Sequence, residues 1–316
     1  MSEPNNGINL KEISAGMALA VARGAKSTVL VAGSDGYPSS GVVYKPGFIL
    51  TAEHTLEKDE DITVMLPGGE TISATAAGRD QANDLALLKM ERAGGEAAEV
   101  AAYDPQVGQL VLALGRPTDE GIQASLGIIG IVGGQYRTHH GGAVEGVMRT
   151  DATRYPGFSG GPLIDTEGLL IGINVFGHRF GSSLTIPVGQ ALQIADKLHK
   201  EGSIKQGYLG IRSEIVELPG AASLNRDQKT GLLIVGIEQE SPAHSSDLMV
   251  GDVLIGIQGN PVTNHDELLR ALRSGVVGKP VRLELIRGGK PAEVTVTPGD
   301  LSDYSRKTEG RKHCCC

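Results

Sequence analysis

A serine set among glycines is the residue in this chain best suited to covalent chemistry. Ser159 lies in the run Pro156-Gly157-Phe158-Ser159-Gly160-Gly161-Pro162-Leu163. Glycines let the main chain bend sharply and leave room for a substrate carbonyl. They also let main-chain N–H groups point at a developing oxyanion. The expected donors are the N–H groups of Gly157 and Ser159, and the expected chemistry is acyl transfer. A serine hydroxyl is inert without a base. The base expected here is His54, which ends the run Phe48-Ile49-Leu50-Thr51-Ala52-Glu53-His54. An imidazole base needs an orienting carboxylate. Asp84 immediately precedes the apolar run Leu85-Ala86-Leu87-Leu88, while its competitor Asp80 sits in a more polar turn. Each residue alone also has a bland explanation: a glycine-rich turn, a surface histidine, an aspartate solvating a turn. Their joint occurrence in the order His, Asp, Ser is far more specific than any part. The other histidines (His139, His140, His178, His199, His244, His265 and His313) read as ordinary surface residues.

Such residues must be held by a rigid frame. Short β-rich runs punctuated by turn signals occupy Ser27–Ala32, Gly41–Tyr44, Phe48–Ala52, Ile62–Leu66, Thr71–Ala76 and Leu85–Met90. A second series follows at Leu110–Leu114, Gln123–Val132, Val147–Thr150, Pro162–Ile164, Leu169–Val175 and Ser183–Ile186. Two consecutive sets of six strands predict two small barrels packed together, with a site in the cleft between them. Val188 to Glu201 has helical spacing of Ala191, Leu192, Ile194, Ala195 and Leu198, with Gly202 as a stop.

Beyond a short linker the pattern changes. Strands are expected at Tyr208–Arg212, Leu232–Ile237, Val253–Gln258, Val281–Ile286 and Glu293–Thr297. Helices are expected at Pro242–Leu248 and His265–Arg273, the second capped by Asn264. The domain divisions expected are an N-terminal segment 1–26, a double-barrel domain 27–203, a small α+β domain 208–300 and a polar tail 301–316.

Composition narrows the function classes. The 316 residues are 40% hydrophobic and 21% charged, so sizeable cores can form. The net charge of -8, with no basic stripe, predicts no nucleic-acid partner. The stretch Ile13–Ala22 is apolar but too short to span a bilayer, so no membrane span is expected. All three cysteines, Cys314 to Cys316, lie at the end of the chain, so none can staple the fold or join a metal site. The triplet does not fit the Cys-aliphatic-aliphatic-X pattern of prenylation. Met1 is not followed by a basic and then an apolar region, which predicts a cytoplasmic protein if Met1 is the native start. Removal of a leader would make an extracytoplasmic location the alternative.

The chain resembles the HtrA/Deg family of serine proteases from about Val29 to Pro298. The resemblance rests on Ser40-Gly41-Val42-Val43, Ile49 to His54, Asn83 to Lys89, Thr150-Asp151-Ala152, Pro156 to Leu163, Gly172-Ile173-Asn174, Thr185-Ile186-Pro187 and Gly207 to Ile211. It implies a mainly β chain: a trypsin-like double six-stranded β-barrel followed by a small α+β PDZ domain. It also implies a serine endopeptidase cleaving unfolded, damaged or regulatory polypeptides, without metal or organic cofactor, as a homo-oligomer, typically a trimer. His54 would be the base, Asp84 its orienter and Ser159 the nucleophile, with Gly157 and Ser159 as the oxyanion hole. Gly172, Ile173, Asn174 and Val175 would pair with substrate as an added strand. Thr150, Asp151 and Arg154 on one side, and Ile173 to Phe176 on the other, would wall a specificity pocket for small or medium apolar side chains. In the PDZ domain, Tyr208, Leu209, Gly210 and Ile211 would bind a peptide carboxylate, and Leu268 and Leu272 would form the opposite wall. Phe158 stands where the family usually has Asn, and a bulky side chain there is expected to disturb the nucleophile turn. A catalytically resting PDZ peptide-binding adaptor or chaperone is therefore the alternative reading.

Overall fold

The computed structural model describes residues 9–33, 37–137, 143–175, 183–203, 206–218, 228–272, 275–301 and 303–304. Phe176 and Cys314 to Cys316 lie outside the described residues. The chain divides into two compact units, with the break between Ile204 and Lys205.

In the first unit, helix α1 (Leu10–Ala25) precedes twelve strands. The first six are β1 (Thr28–Ala32), β2 (Ser39–Lys45), β3 (Phe48–Ala52), β4 (Ile62–Met65), β5 (Thr71–Asp80) and β6 (Leu85–Met90). They close into a barrel in the order β1-β2-β3-β6-β5-β4. The next six are β7 (Leu110–Thr118), β8 (Gly121–Arg137), β9 (Ala143–Thr150), β10 (Pro162–Ile164), β11 (Leu170–Val175) and β12 (Ser183–Pro187). They close in the order β10-β11-β12-β9-β8-β7, and α2 (Val188–Glu201) follows.

Alternation explains how the barrels both fill and pack. Strand side chains point to opposite faces in turn. In β6, Ala86, Leu88 and Met90 enter the first barrel with Val29, Val31, Ile49 and Ile62. Leu85 and Leu87 face the other way, into a cluster with Ile173, Leu184, Ile186 and the α2 residues Ala191, Ala195 and Leu198. Both faces are therefore apolar, and the run reads as continuous rather than alternating.

Helix α1 was not expected from the sequence. The Asn9 side chain accepts from the Lys11 N–H as its N-cap, and Glu12 sits in the first turn. The helix docks on the second barrel through Ala20, against Leu112, Leu114 and Ile164. Arg23 pairs with Glu99 and donates to the Glu167 carbonyl at 3.0 Å.

The second unit contains β13 (Gly207–Tyr208), β14 (Ile211–Glu217), β15 (Thr230–Ile237), β16 (Val253–Ile257), β17 (Asn260–Pro261), α3 (His265–Ala271), β18 (Val281–Arg287), β19 (Lys290–Val296) and β20 (Gly299–Asp300). The main sheet runs β14-β15-β16-β18-β19, with β17 beside β16 and a separate β13-β20 pair. Asn264 caps α3 by accepting from Glu267 N–H, as expected. The helix expected at Pro242–Leu248 is instead a run of turns. Ser241 Oγ accepts from His244 N–H and Ser246 Oγ donates to the Ala243 carbonyl, local bonds that compete with a helical ladder.

Phe158 does not disturb its turn. Its side chain is 1% exposed and packs in the second-barrel core with Val111, Ala113, Met148 and Leu163. Tyr155 meets its ring edge-on at 5.3 Å. Room for the ring comes from Gly115, where an added Cβ would lie 2.5 Å from Phe158 Cδ1. Phe158→Ala should leave a cavity costing roughly 3–5 kcal/mol. Thermal unfolding of the variant should show a clearly lowered midpoint; an unchanged midpoint would contradict this packing.

Candidate active site

Positioning of the histidine begins at β3. Its last residue, Ala52, leads into a single 3-10 turn at Glu53–Thr55 that carries His54. Next to β3 in the barrel is β6, with Ala52 opposite Leu85. Asp84, just before β6, is thereby placed beside His54. Its backbone adopts φ 54°, a left-handed conformation that Asp tolerates better than most residues. The Asp84 carbonyl accepts from Glu53 N–H at 3.2 Å, which fixes this turn to the other. The carboxylate then takes both the main-chain N–H of His54, at 3.0 Å to Oδ1, and the ring, at 2.7 Å from Nδ1 to Oδ2. Asp84 is the more enclosed partner, with 13% of its side chain exposed against 34% for His54. Nδ1 is thus held by Asp84, and the opposite ring nitrogen, Nε2, is turned away from the carboxylate.

Asp80, the competing carboxylate, ends β5 and is 1% exposed, not in a polar turn. Its Oδ1 accepts from Asn83 N–H at 3.1 Å, so it shapes the turn that presents Asp84.

Burial opposes the charged form of His54. The Asp84 hydrogen bond, the Asp84 charge and the nearby Glu53 charge outweigh it, and hold the imidazole pKa above its ordinary value of 6.5. Glu53 is itself buried and is paired with Arg79 at 3.0 Å.

Ser159 comes from the second barrel. Phe158 N–H donates to the Tyr155 carbonyl at 3.1 Å, closing a turn with Pro156 and Gly157 at its centre. Gly157 has φ 82°, the value demanded of the third residue in a type II turn, whose second position favours Pro. An added Cβ at Gly157 would meet Pro117 Cβ at 2.5 Å and the Pro38 carbonyl at 2.7 Å, so only glycine fits. Among the described residues, the N–H groups of Gly157 and Ser159 have no hydrogen-bond acceptor. Gly160 is the second obligatory glycine: it has φ 81°, and a Cβ there would lie 2.2 Å from the Ser40 carbonyl and 2.8 Å from Ala52 N. The chain on either side of Ser159 is therefore pressed against β2 and the end of β3, two residues before His54.

The expected substrate-pairing strand needs correction. Gly172 to Val175 pair with β12 along their length, opposite Pro187 to Leu184. On the other side Gly172 and Ile173 pair with β10, and Asn174 exchanges hydrogen bonds with Gly160 N–H (2.7 Å) and the Gly161 carbonyl (2.9 Å). From Gly172 to Asn174 the strand is closed on both sides and offers no edge to a substrate. Asn174 instead anchors the turn that follows Ser159.

Arg154 Nη1 donates to the Val175 carbonyl at 3.3 Å, which links the two expected pocket walls. Thr150 is buried, and Asp151 is turned to the β8 backbone, accepting from Ile128 N–H at 2.6 Å.

In the second unit, Gly210 has φ 78° and separates β13 from β14, so the single strand expected at Tyr208–Arg212 is broken. The carbonyls of Leu209 and Gly210 accept from Ala243 and Glu238 N–H groups, both at 2.8 Å. Leu209, Leu268 and Leu272 share one buried cluster, so Leu268 of α3 and Leu272 just after it serve the core. Strand β14 ends its sheet, and among the described residues it pairs with β15 alone. His265, read from sequence as a surface residue, instead bridges α3 to this strand, with Nε2 at 3.0 Å from the Ser213 carbonyl. Its place directly after the Asn264 cap was the available signal.

Residues 39–173 match the family model of the trypsin-like peptidase domain, and residues 207–297 match that of the PDZ domain. The chain is 32% identical over 278 residues to a probable periplasmic serine endoprotease DegP-like of Halomonas elongata, covering 86% of this chain and 58% of that protein. It is 31% identical over 280 residues to the periplasmic pH-dependent serine endoprotease DegQ of Escherichia coli K12, covering 85% and 61%. The chain thus spans about three-fifths of the length of these curated relatives. Among solved structures, a serine endoprotease from Yersinia pestis matches with TM-score 0.68 at 27% identity, covering 90% of this chain and 97% of that one. The HtrA-type protease AlgW with a tripeptide matches with TM-score 0.66 at 27% identity, covering 90% and 97%. Fold and matches together define a trypsin-like double barrel joined to a PDZ domain. The chain belongs to the HtrA/Deg family. The relatives are named as periplasmic, which gives no support to a cytoplasmic location. No helix among the described residues is long and apolar enough to cross a membrane.

The raised His54 pKa yields a direct test. Followed by NMR, the ring should titrate with a midpoint above 6.5. Asp84→Asn removes the carboxylate charge and should move that midpoint down. A midpoint at or below the ordinary value in the wild type would contradict the Asp84 contact.

Proposed function

We propose that the chain is a serine endopeptidase acting through His54, Asp84 and Ser159, on unfolded or damaged polypeptides. The observation that carries this reading is the junction of the barrels. A largely enclosed carboxylate orients the imidazole at the end of β3, and glycine contacts hold the Ser159 turn against that same strand end.

In the first half-reaction, Ser159 Oγ attacks the substrate carbonyl carbon and gives its proton to His54 Nε2. The carbonyl π pair moves onto oxygen, where the N–H groups of Gly157 and Ser159 stabilise the oxyanion. Collapse expels the amine, which takes the proton from His54, and leaves an acyl-enzyme. Water then attacks the ester with His54 again as base, and release of the new carboxyl group restores Ser159. Asp84 stabilises the imidazolium in both steps without itself taking the proton. No metal or organic cofactor enters this scheme.

The residue before the scissile bond is assigned to the small or medium apolar class. Buried Ala152, Ile173 and Val175 support that choice, and Arg154 is tied to the Val175 carbonyl. The PDZ unit would capture peptide ends beside the edge strand β14, through Tyr208 to Ile211. Self-association as a trimer belongs to the same proposal. Helix α1 presents Leu10, Ile13 and Leu19 to solvent, apolar surface that a second copy would cover. The periplasmic relatives favour an extracytoplasmic location.

Wild-type protein should degrade an unfolded model substrate, and Ser159→Ala should lower the rate by several orders of magnitude while remaining folded. Undiminished cleavage by the variant would refute the assignment of the nucleophile.

A further inference from the structure

Ser40 is a serine with 0% exposure at the start of a barrel strand, where an apolar residue would be expected. Buried polar groups need partners. Ser40 satisfies all of its own within the junction of the two barrels. Its N–H donates to the Ser159 carbonyl at 3.0 Å, and its carbonyl accepts from Thr51 Oγ1 at 2.7 Å. Its hydroxyl donates to the Gly157 carbonyl at 2.7 Å and accepts from Arg116 N–H at 2.8 Å. Thr51 belongs to β3 of the first barrel, and Arg116 to β7 of the second.

Two of these bonds grip the nucleophile turn, and they do so on either side of one peptide. The Gly157 carbonyl belongs to the peptide before Phe158, and the Ser159 carbonyl to the peptide before Gly160. Between them lies the Phe158–Ser159 peptide, which carries the Ser159 N–H. The carbonyl of that peptide accepts from Gly161 N–H at 3.0 Å, so its N–H is directed the opposite way. With both flanking carbonyls tied to Ser40, the orientation of this N–H is fixed.

Building on the peptidase reading above, we propose that Ser40 is a positioning residue for the oxyanion site. It touches neither substrate nor reacting atoms. Through its hydroxyl and N–H it locks the turn bearing Gly157 and Ser159 to the barrel that carries His54. Preorganised donors matter most where charge develops in the transition state. Loss of the hydroxyl should therefore weaken turnover more than substrate binding.

Ser40→Ala removes only the hydroxyl and keeps both main-chain bonds. With the full chain and a fluorogenic peptide, kcat should fall about ten- to a hundredfold while KM stays within about twofold. Affinity for a peptide aldehyde, whose hemiacetal oxygen occupies the oxyanion position, should weaken in parallel. The acid-side midpoint of the rate profile should not move, because the His54–Asp84 pair is untouched. Ser40→Cys keeps a weak donor of similar shape and should show a smaller loss; it also serves if the alanine variant does not fold. Unchanged kcat in both variants would overturn the proposal. So would a loss carried mainly by KM, or accompanied by a shifted midpoint, since general loosening predicts those. A wild type that neither turns over the peptide nor binds the aldehyde would remove the peptidase reading itself, and this assignment with it.

Discussion

The rest of this structure depends on the junction that brings the His54 turn of one closed barrel against the Ser159 turn of another. A closed barrel has no free edge, so sheet extension cannot join the two. The join is made by side chains and by one tight turn. Leu85 and Leu87 of β6 meet Ile173, Leu184 and Ile186 of the second barrel in a shared apolar cluster. That contact brings the barrels together without specifying an orientation to within a fraction of an ångström. Directional bonds from Ser40 to the carbonyls of Gly157 and Ser159, and from Arg116 N–H to Ser40 Oγ, supply that precision. Gly157 and Gly160 permit the approach, because any side chain at either position would overlap the opposing main chain.

Much of this was legible in the sequence, for identifiable reasons. The strands of both barrels are present because β-branched and aliphatic runs were bounded by glycine and proline turns. His54, Asp84 and Ser159 could be singled out because each stands beside a strong local signal: a strand end, a strand start and a glycine run. Features that depend on distant partners were not legible. Phe158 looked disruptive because Gly115, which makes room for it, lies on another strand. Ser40 stood out only as part of the marker run Ser40-Gly41-Val42-Val43, because its four partners lie far off at Thr51, Arg116, Gly157 and Ser159. Helix α1 was missed because it docks through Ala20 and Gly24, small residues that leave little periodic trace. Gly172 to Val175 were assigned to substrate pairing by resemblance, because the partners on the second side, β10 and the turn after Ser159, are distant in the sequence.

The departure from the family pattern at Phe158 also clarifies the turn. A polar residue there could bond locally, whereas Phe158 holds the turn by burying its ring in the barrel core. The turn is thereby fixed from two sides. An apolar anchor pulls Phe158 inward, and polar bonds to Ser40 hold the residues on either side of it. Gly157 at φ 82° is consistent with that double hold.

On the proposed reading, His54 and Ser159 work as one unit across the two barrels. Covalent labelling with a fluorophosphonate, read by mass spectrometry of the intact chain and of its peptides, tests this coupling. One adduct is expected, on Ser159, forming quickly in the wild type and at a greatly reduced rate in His54→Ala. An adduct elsewhere, no adduct, or equal labelling of the two proteins would contradict it.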